Sequence, residues 1–187
     1  MVIDFEDTKI RHELIYIAKR SLDSIHSSQN LVMERSLREK YSERYGVFTT
    51  IKLNGQLRGC IGFVEPIYPL WEAIWKSARY AATEDPRFLP MTADEIAHAE
   101  IELTILGRLL PLPKDDRSEL SRIILGKHGL VVRRGHMSGL LLPQVAVELG
   151  LTKNEFLRET AIKAGINPRL LDDDQTETYF FDGIVIK

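Results

Sequence analysis

The sequence predicts an internally duplicated α+β fold around a barrel-like, mainly antiparallel sheet, with a helix ahead of the first repeat. Three observations carry the prediction. Two segments, about 46–107 and about 128–187, read in one order of hairpin, helix, helix and strand. Short pieces echo each other at matching places: RGCIG at 58–62 answers SGLLL at 138–142, and DPRFL at 85–89 answers NPRLL at 167–171. An Asn-Gly pair between two β-prone runs gives the strongest short-range hairpin signal, because both turn residues must tolerate positive φ. Two half-sheets with interleaved helices would close into one unit, so one domain is expected over all 187 residues.

Each element has its own signal. Ile10, Leu14, Ile17 or Ala18, Leu22 and Ile25 recur at helical spacing, with Asp7 or Thr8 as N-cap. The charged stretch ending at Gly46 reads as a connector holding a short, solvated helix. VFTTIKL and QLRGCIGF flank Asn54-Gly55, and a two-residue turn would pair Leu53 with Gln56, Ile51 with Arg58 and Thr49 with Cys60. Arg58 and Cys60 would then share a face, since side chains alternate along a strand. LWEAIWKSARYAA follows as a helix, buried through Leu70, Ile74, Ala78 and Ala81. Thr92-x-x-Glu95 is a capping box opening a short helix. Glu100, Glu102 and Thr104 alternate with Ile101, Leu103 and Ile105 as a half-buried strand whose polar face is solvated or lines an interior. LLPLPKDDR reads as a linker and SELSRIIL as a helix. HGLVVRR and GLLL make a second hairpin, PQVAVEL and TKNEFLRETAIKAG two more helices, and TYFFDGIVIK the last strand.

Composition excludes several functions. A net charge of −2 gives no global field for nucleic acid or an acidic membrane. One cysteine cannot form an intramolecular disulfide, which suits a reducing cytoplasm, and it rules out Cys-rich zinc sites. The five histidines lie at no metal-ligand spacing, so no metal is expected, and no cofactor is named. The N-terminus lacks a signal-peptide pattern, and no apolar run approaches the roughly 20 residues of a spanning helix. No P-loop, Rossmann glycine pattern or zinc-hydrolase motif occurs.

LRGCIG, AATEDPRF, GKHGL and GLLLPQVA stand in the order found in the AMMECR domain family, which the chain resembles from about Gly46 to its C-terminal strand. The resemblance implies an α+β domain of two related halves around a barrel-like sheet. It implies no particular reaction, but the genomic setting of some prokaryotic members implies a modification pathway shared with Memo-like and radical-SAM proteins. At AIKAG, residues 161–165, Ile162 stands where a second cysteine is common among relatives, which argues against a two-thiol mechanism.

Cys60 and His128 are the candidate catalytic pair. A nearby guanidinium would favour the Cys60 thiolate, and His128 would supply the base if the two halves meet there. The competing reading makes Cys60 a small apolar filler, since Leu140 is its counterpart. Arg58 and Arg87 would form an anion pocket, because arginine forks match carboxylate and phosphate. Gly59 and Gly62 would let a ligand approach the backbone. Asp85 is a ligand contact or a turn residue, and Lys127 a cation at a strand entrance. Gln144 is a ligand contact or a helix cap. Two functions are open: an enzyme or enzyme partner recognising a small anion, or a non-catalytic module whose Arg133-Arg134 tip binds protein or nucleic acid. Arg58 is the favoured functional residue, because Ser138 replaces it in the second half.

Overall fold

The computed structural model describes residues 3–27, 32–113 and 120–187. Its chain divides into two compact units, Met1–Ile105 with Ile184–Lys187, and Leu106–Gly183. The fold is mixed α+β, and its elements repeat hairpin, helix, helix, strand.

In the first unit, helix α1 (Thr8–Asp23) begins where the Asp7 carboxylate accepts from the Lys9 and Ile10 N–H groups. Its apolar stripe buries Leu14, Ile17, Ala18 and Leu22, while Ile25 packs beyond the helix end. The connector holds helix α2 (Arg35–Lys40), which buries no residue; positions 28–31 of that stretch lie outside the described residues. Strands β1 (Gly46–Leu53) and β2 (Gln56–Phe63) form the antiparallel hairpin. At its turn Asn54 and Gly55 have φ of 50° and 74°. Helix α3 (Leu70–Thr83) covers one face of the hairpin with Leu70, Ala73, Ile74, Ala78 and Ala81. Helix α4 (Ala93–Ala97) carries the expected Thr92–Glu95 capping box. Strand β3 (Glu100–Leu106) lies beside β1, so β2 is the edge strand of this unit.

The polar side of β3 is not solvated. Glu102 is 7% exposed and Thr104 fully buried, leaving only Glu100 open to water. The Glu102 carboxylate sits 3.6 Å from Lys52 Nζ and 3.1 Å from Lys187 Nζ, which offsets the desolvation of its charge. Of the two readings open for this face, burial holds for Glu102 and Thr104.

In the second unit, Leu110 and Pro111 form a short strand β4 on β7, not the linker expected of LLPLPKDDR. Positions 114–119, which include part of that linker and the start of SELSRIIL, lie outside the described residues. The rest of SELSRIIL is turn, with Leu120 buried at a φ of 47°, so the described part of the expected helix is absent. Strands β5 (His128–Arg134) and β6 (Met137–Leu141) pair through the Gly135-His136 turn, and β5 pairs with β7 (Thr176–Ile186). Helices α5 (Pro143–Glu148) and α6 (Lys153–Lys163) intervene, followed by a short 3-10 turn at Pro168–Leu170. The Thr152–Glu155 box opens α6.

The repeat is visible atom by atom. A Cβ on Gly59 would lie 2.0 Å from the Ala81 carbonyl oxygen of α3, and one on Gly139 would lie 2.4 Å from the Ala164 nitrogen at the end of α6. The second strand of each hairpin thus touches the last turn of a helix through a glycine. Asp85 and Asn167 then make the same turn, each accepting through its side chain from the N–H two residues on, at Arg87 and Arg169. These contacts match α3 with α6, although α6 is the second helix of its repeat.

Candidate functional site

The sequence around Cys60 folds as a bulged edge strand. Leu53 pairs with Gln56 as expected, but the register then shifts between Ile51 and Lys52. Ile51 opposes Gly59, Thr50 opposes Cys60 and Thr49 opposes Ile61. Arg58 is the extra residue, so the expected pairs Ile51–Arg58 and Thr49–Cys60 do not form. The bulge also breaks the period-two alternation that would have put Arg58 and Cys60 on one face. Its cause is packing: the backbone must bring Gly59, with no Cβ, against the Ala81 carbonyl of α3.

This contact also settles what lies beside the two glycines. The space next to Gly59 is filled by Ala81, and that next to Gly62 by the Val47 carbonyl and the Phe48 ring. On the side a Cβ would occupy, both glycines are packed against the chain itself.

Asp85 organises the site. Its carboxylate is 4% exposed and accepts four hydrogen bonds. One comes from the Cys60 N–H at 2.8 Å, another from the Arg87 N–H at 3.1 Å. The other two come from Arg87 Nε at 2.9 Å and Nη2 at 2.7 Å. The Arg87 side chain, helped by the two backbone donors, holds the Asp85 carboxyl at about 2, below its ordinary 3.8. Asp85 is both a turn residue and a buried anion that ties the loop after α3 to β2.

The two arginines are each paired with a carboxylate. Arg58 Nε donates to Glu95 Oε1 at 2.8 Å, and its Nη2 donates to the Leu89 carbonyl at 2.9 Å and Glu95 Oε2 at 3.2 Å. Its side chain is 15% exposed. The pairing depresses the Glu95 carboxyl to about 2, with further help from the Thr92 N–H. Arg58 therefore fastens α4 to the hairpin through Nε and Nη2, while its Nη1 is buried with no hydrogen-bond partner among the described residues. Arg87 differs. Its side chain is 54% exposed, and Asp85 takes only Nε and Nη2, so the Nη1 edge faces outward with no protein acceptor among the described residues. Both guanidinium groups lie within 6 Å of the Phe88 ring centre, Arg58 at 5.7 Å and Arg87 at 5.4 Å.

Cys60 is half-buried, and its Sγ accepts from the Thr50 hydroxyl at 3.3 Å. It lies within electrostatic reach of Arg87, whose pKa is raised mainly by the bonds to Asp85. Arg58, Cys60, Asp85 and Arg87 are thus brought together, joined by Thr50 and Glu95. Glu95 was legible as a capping residue through Thr92-x-x-Glu95, but nothing in its spacing announced Arg58 as its partner.

The other candidates belong to the second unit. His128 is 7% exposed; its Nδ1 accepts from the Ile124 N–H at 3.1 Å, and its Nε2 faces Asp182 Oδ1 at 3.5 Å. With the Nδ1 lone pair engaged and Nε2 turned to a carboxylate, the ring has no free basic nitrogen for a substrate. Lys127 Nζ meets the same Asp182 oxygen at 3.4 Å. Gln144 is half-buried in the first turn of α5. At the basic tip, Arg134 is held by Asp173 at 2.6 Å and by Thr176 at 3.0 Å, and Arg133 lies over the Tyr179 ring.

The model of the AMMECR1 family matches residues 15–186. The chain belongs to the AMMECR1 family. It is 40% identical over 177 residues to a protein of Aquifex aeolicus, covering 92% of this chain and 90% of that one. It is 40% identical over 176 residues to Protein NEQ441 of Nanoarchaeum equitans, covering 93% and 98% respectively. A solved structure, the uncharacterized protein PH0010 from Pyrococcus horikoshii, superposes with a TM-score of 0.85 at 36% identity, covering 92% of this chain and 88% of its own. AMMECR1 kinship supplies the fold; the chemistry must be read from the residues. Among the described residues no helix is long and apolar enough to cross a membrane.

Proposed function

We propose that this AMMECR1-family chain is an enzyme or an enzyme's partner acting through an anion-recognising thiol site at LRGCIG. One observation carries the reading. The Asp85 carboxylate grips the Cys60 N–H and the Arg87 guanidinium together, fixing a half-exposed thiol beside a cation with one open edge. Arg87 Nη1 would contact a carboxylate or phosphate, and Cys60 would be the nucleophile or soft contact beside it. Asp85 would position both, and Arg58 would support the loop through Glu95. This reading gives His128 no part in the chemistry, since its Nδ1 already accepts from the Ile124 N–H. The resemblance to the family points to a modification pathway, with a Memo-like or radical-SAM protein as partner.

The test is alkylation of the native chain by neutral iodoacetamide, followed by intact mass. Cys60 should be modified without unfolding, and inorganic phosphate or a dicarboxylate should slow the reaction. A thiol that reacts only after denaturation would remove Cys60 from the chemistry. The alternative, a basic tip binding nucleic acid, loses support because Arg134 is held by Asp173 and Thr176.

A further inference from the structure

Strand β2 is the edge of its sheet, and its main chain shows which groups point outward. Antiparallel pairs alternate between residues that exchange backbone bonds and residues that do not. The Cys60 N–H donates to Asp85, so the Thr50–Cys60 pair is of the second kind. Two residues on, Phe48–Gly62 is of the same kind, and the Gly62 N–H and C=O turn away from β1, as does the Cys60 C=O. Among the described residues no protein group takes these three bonds. The edge is blunted by a bulge at Arg58 and a carboxylate cap at Cys60, and it is open immediately afterwards.

The loop that caps the strand at Arg58 and Cys60, just before this stretch, is also shaped. Leu89 is 82% exposed, yet it stands between Pro90 and an arginine-held carbonyl, since Arg58 Nη2 binds its oxygen. Phe88 lies beside it, under both guanidinium groups, and Arg87 presents its free edge. A small anion would need only the cation. A main-chain rail, an exposed apolar side chain and a cation together suit an extended peptide.

We infer that the LRGCIG site takes an extended segment of a protein, which adds a strand to the outer edge of β2 at Gly62 and offers a carboxylate side chain to Arg87. This deepens the proposed function and rests on its reading of Cys60 and Arg87. The backbone of the segment would exchange both bonds of Gly62 and place one of its side chains next to the Cys60 thiol.

Disulfide tethering tests it. The probe is a blocked tetrapeptide with one glutamate and a pyridyl disulfide on its cysteine. The Cys60 thiolate attacks the peptide sulfur, a new disulfide forms, and thiopyridone leaves with the electron pair of the broken bond. Capture should exceed that of the pyridyl disulfide of mercaptoethanol by about tenfold, the increment that two net main-chain bonds supply. Methylating the backbone nitrogen next to the cysteine should erase the gain. Equal capture of all three probes would overturn the peptide proposal while leaving the thiol site standing. A second measurement does not need the thiol: in hydrogen exchange the Gly62 amide should exchange as an open edge, while the Ile61 amide is protected by β1. A Gly62 amide as protected as Ile61 would show a covered edge and overturn the proposal even if Cys60 proved inert.

Discussion

Asp85 carries more of the site than its place before a proline suggests. Its buried carboxylate satisfies a backbone donor on another strand and neutralises half of an arginine. Replacing it by alanine leaves the Cys60 N–H without its acceptor and Arg87 without its anion, and should cost about 3 kcal/mol in denaturant unfolding. The pH dependence follows from the depressed carboxyl. Asp85 holds its proton more weakly folded than unfolded, so its contribution is fully present above pH 3.8 and is lost as pH falls through about 2. Glu95 behaves alike, from 4.5 down to about 2. Asp85→Asn should flatten the acid limb of the stability curve between these values; an unchanged limb would mean that the pairing with Arg87 contributes nothing.

Among elements, the bulged strand is held by the glycine contact with α3 and by the Arg58–Glu95 pair to the capped helix α4. Gly59→Ala would drive a methyl into the Ala81 carbonyl, which cannot rotate away, and should destabilise the chain by about 3 kcal/mol. Gly139→Ala should do the same against Ala164. Gly135→Ala, at an open turn with a φ of 57°, meets no atom, and its cost comes from backbone strain alone, about 1 kcal/mol. Thermal unfolding of the three variants should rank them in that way. Thr92→Ala removes the N-cap of α4 and should cost about 1 kcal/mol.

The element scale also shows what could be read in advance. Asn54-Gly55, the two Thr-x-x-Glu boxes and the Leu14–Ile17–Leu22 stripe are local signals, and each element formed where its signal lay. The bulge was invisible, because it answers to a helix more than twenty positions away and not to the hairpin's own residues. For the same reason the pairing of Arg58 was not legible: its partner Glu95 lies across a loop, and only the fold brings the two together. The burial of Glu102 was left open because strand alternation separates two faces without saying which of them meets water.

For the molecule as a whole, the duplication explains both the fold and the place of the site. Each half builds a hairpin, a glycine–helix contact and an Asx turn, from Gly59 to Asp85 and from Gly139 to Asn167. The first half departs from the second at Cys60 and at the charge on Asp85, where the second has Leu140 and Asn167. Both Arg87 and Arg169 are exposed, but Arg87 is anchored by the Asp85 carboxylate, and only the first copy has a thiol beside a fixed cation. The central claim is that Arg87 recognises an anion next to Cys60. It is tested most directly by the rate ratio of two aromatic disulfides on the native protein, dianionic dithiobis(nitrobenzoate) and neutral dithiodipyridine. In the wild-type chain the anionic reagent should be favoured, and Arg87→Ala should lower the ratio by about tenfold, the worth of one charge-assisted contact, while Arg133→Ala leaves it unchanged. A ratio unaffected by Arg87→Ala, with Cys60 still reactive, would contradict the claim.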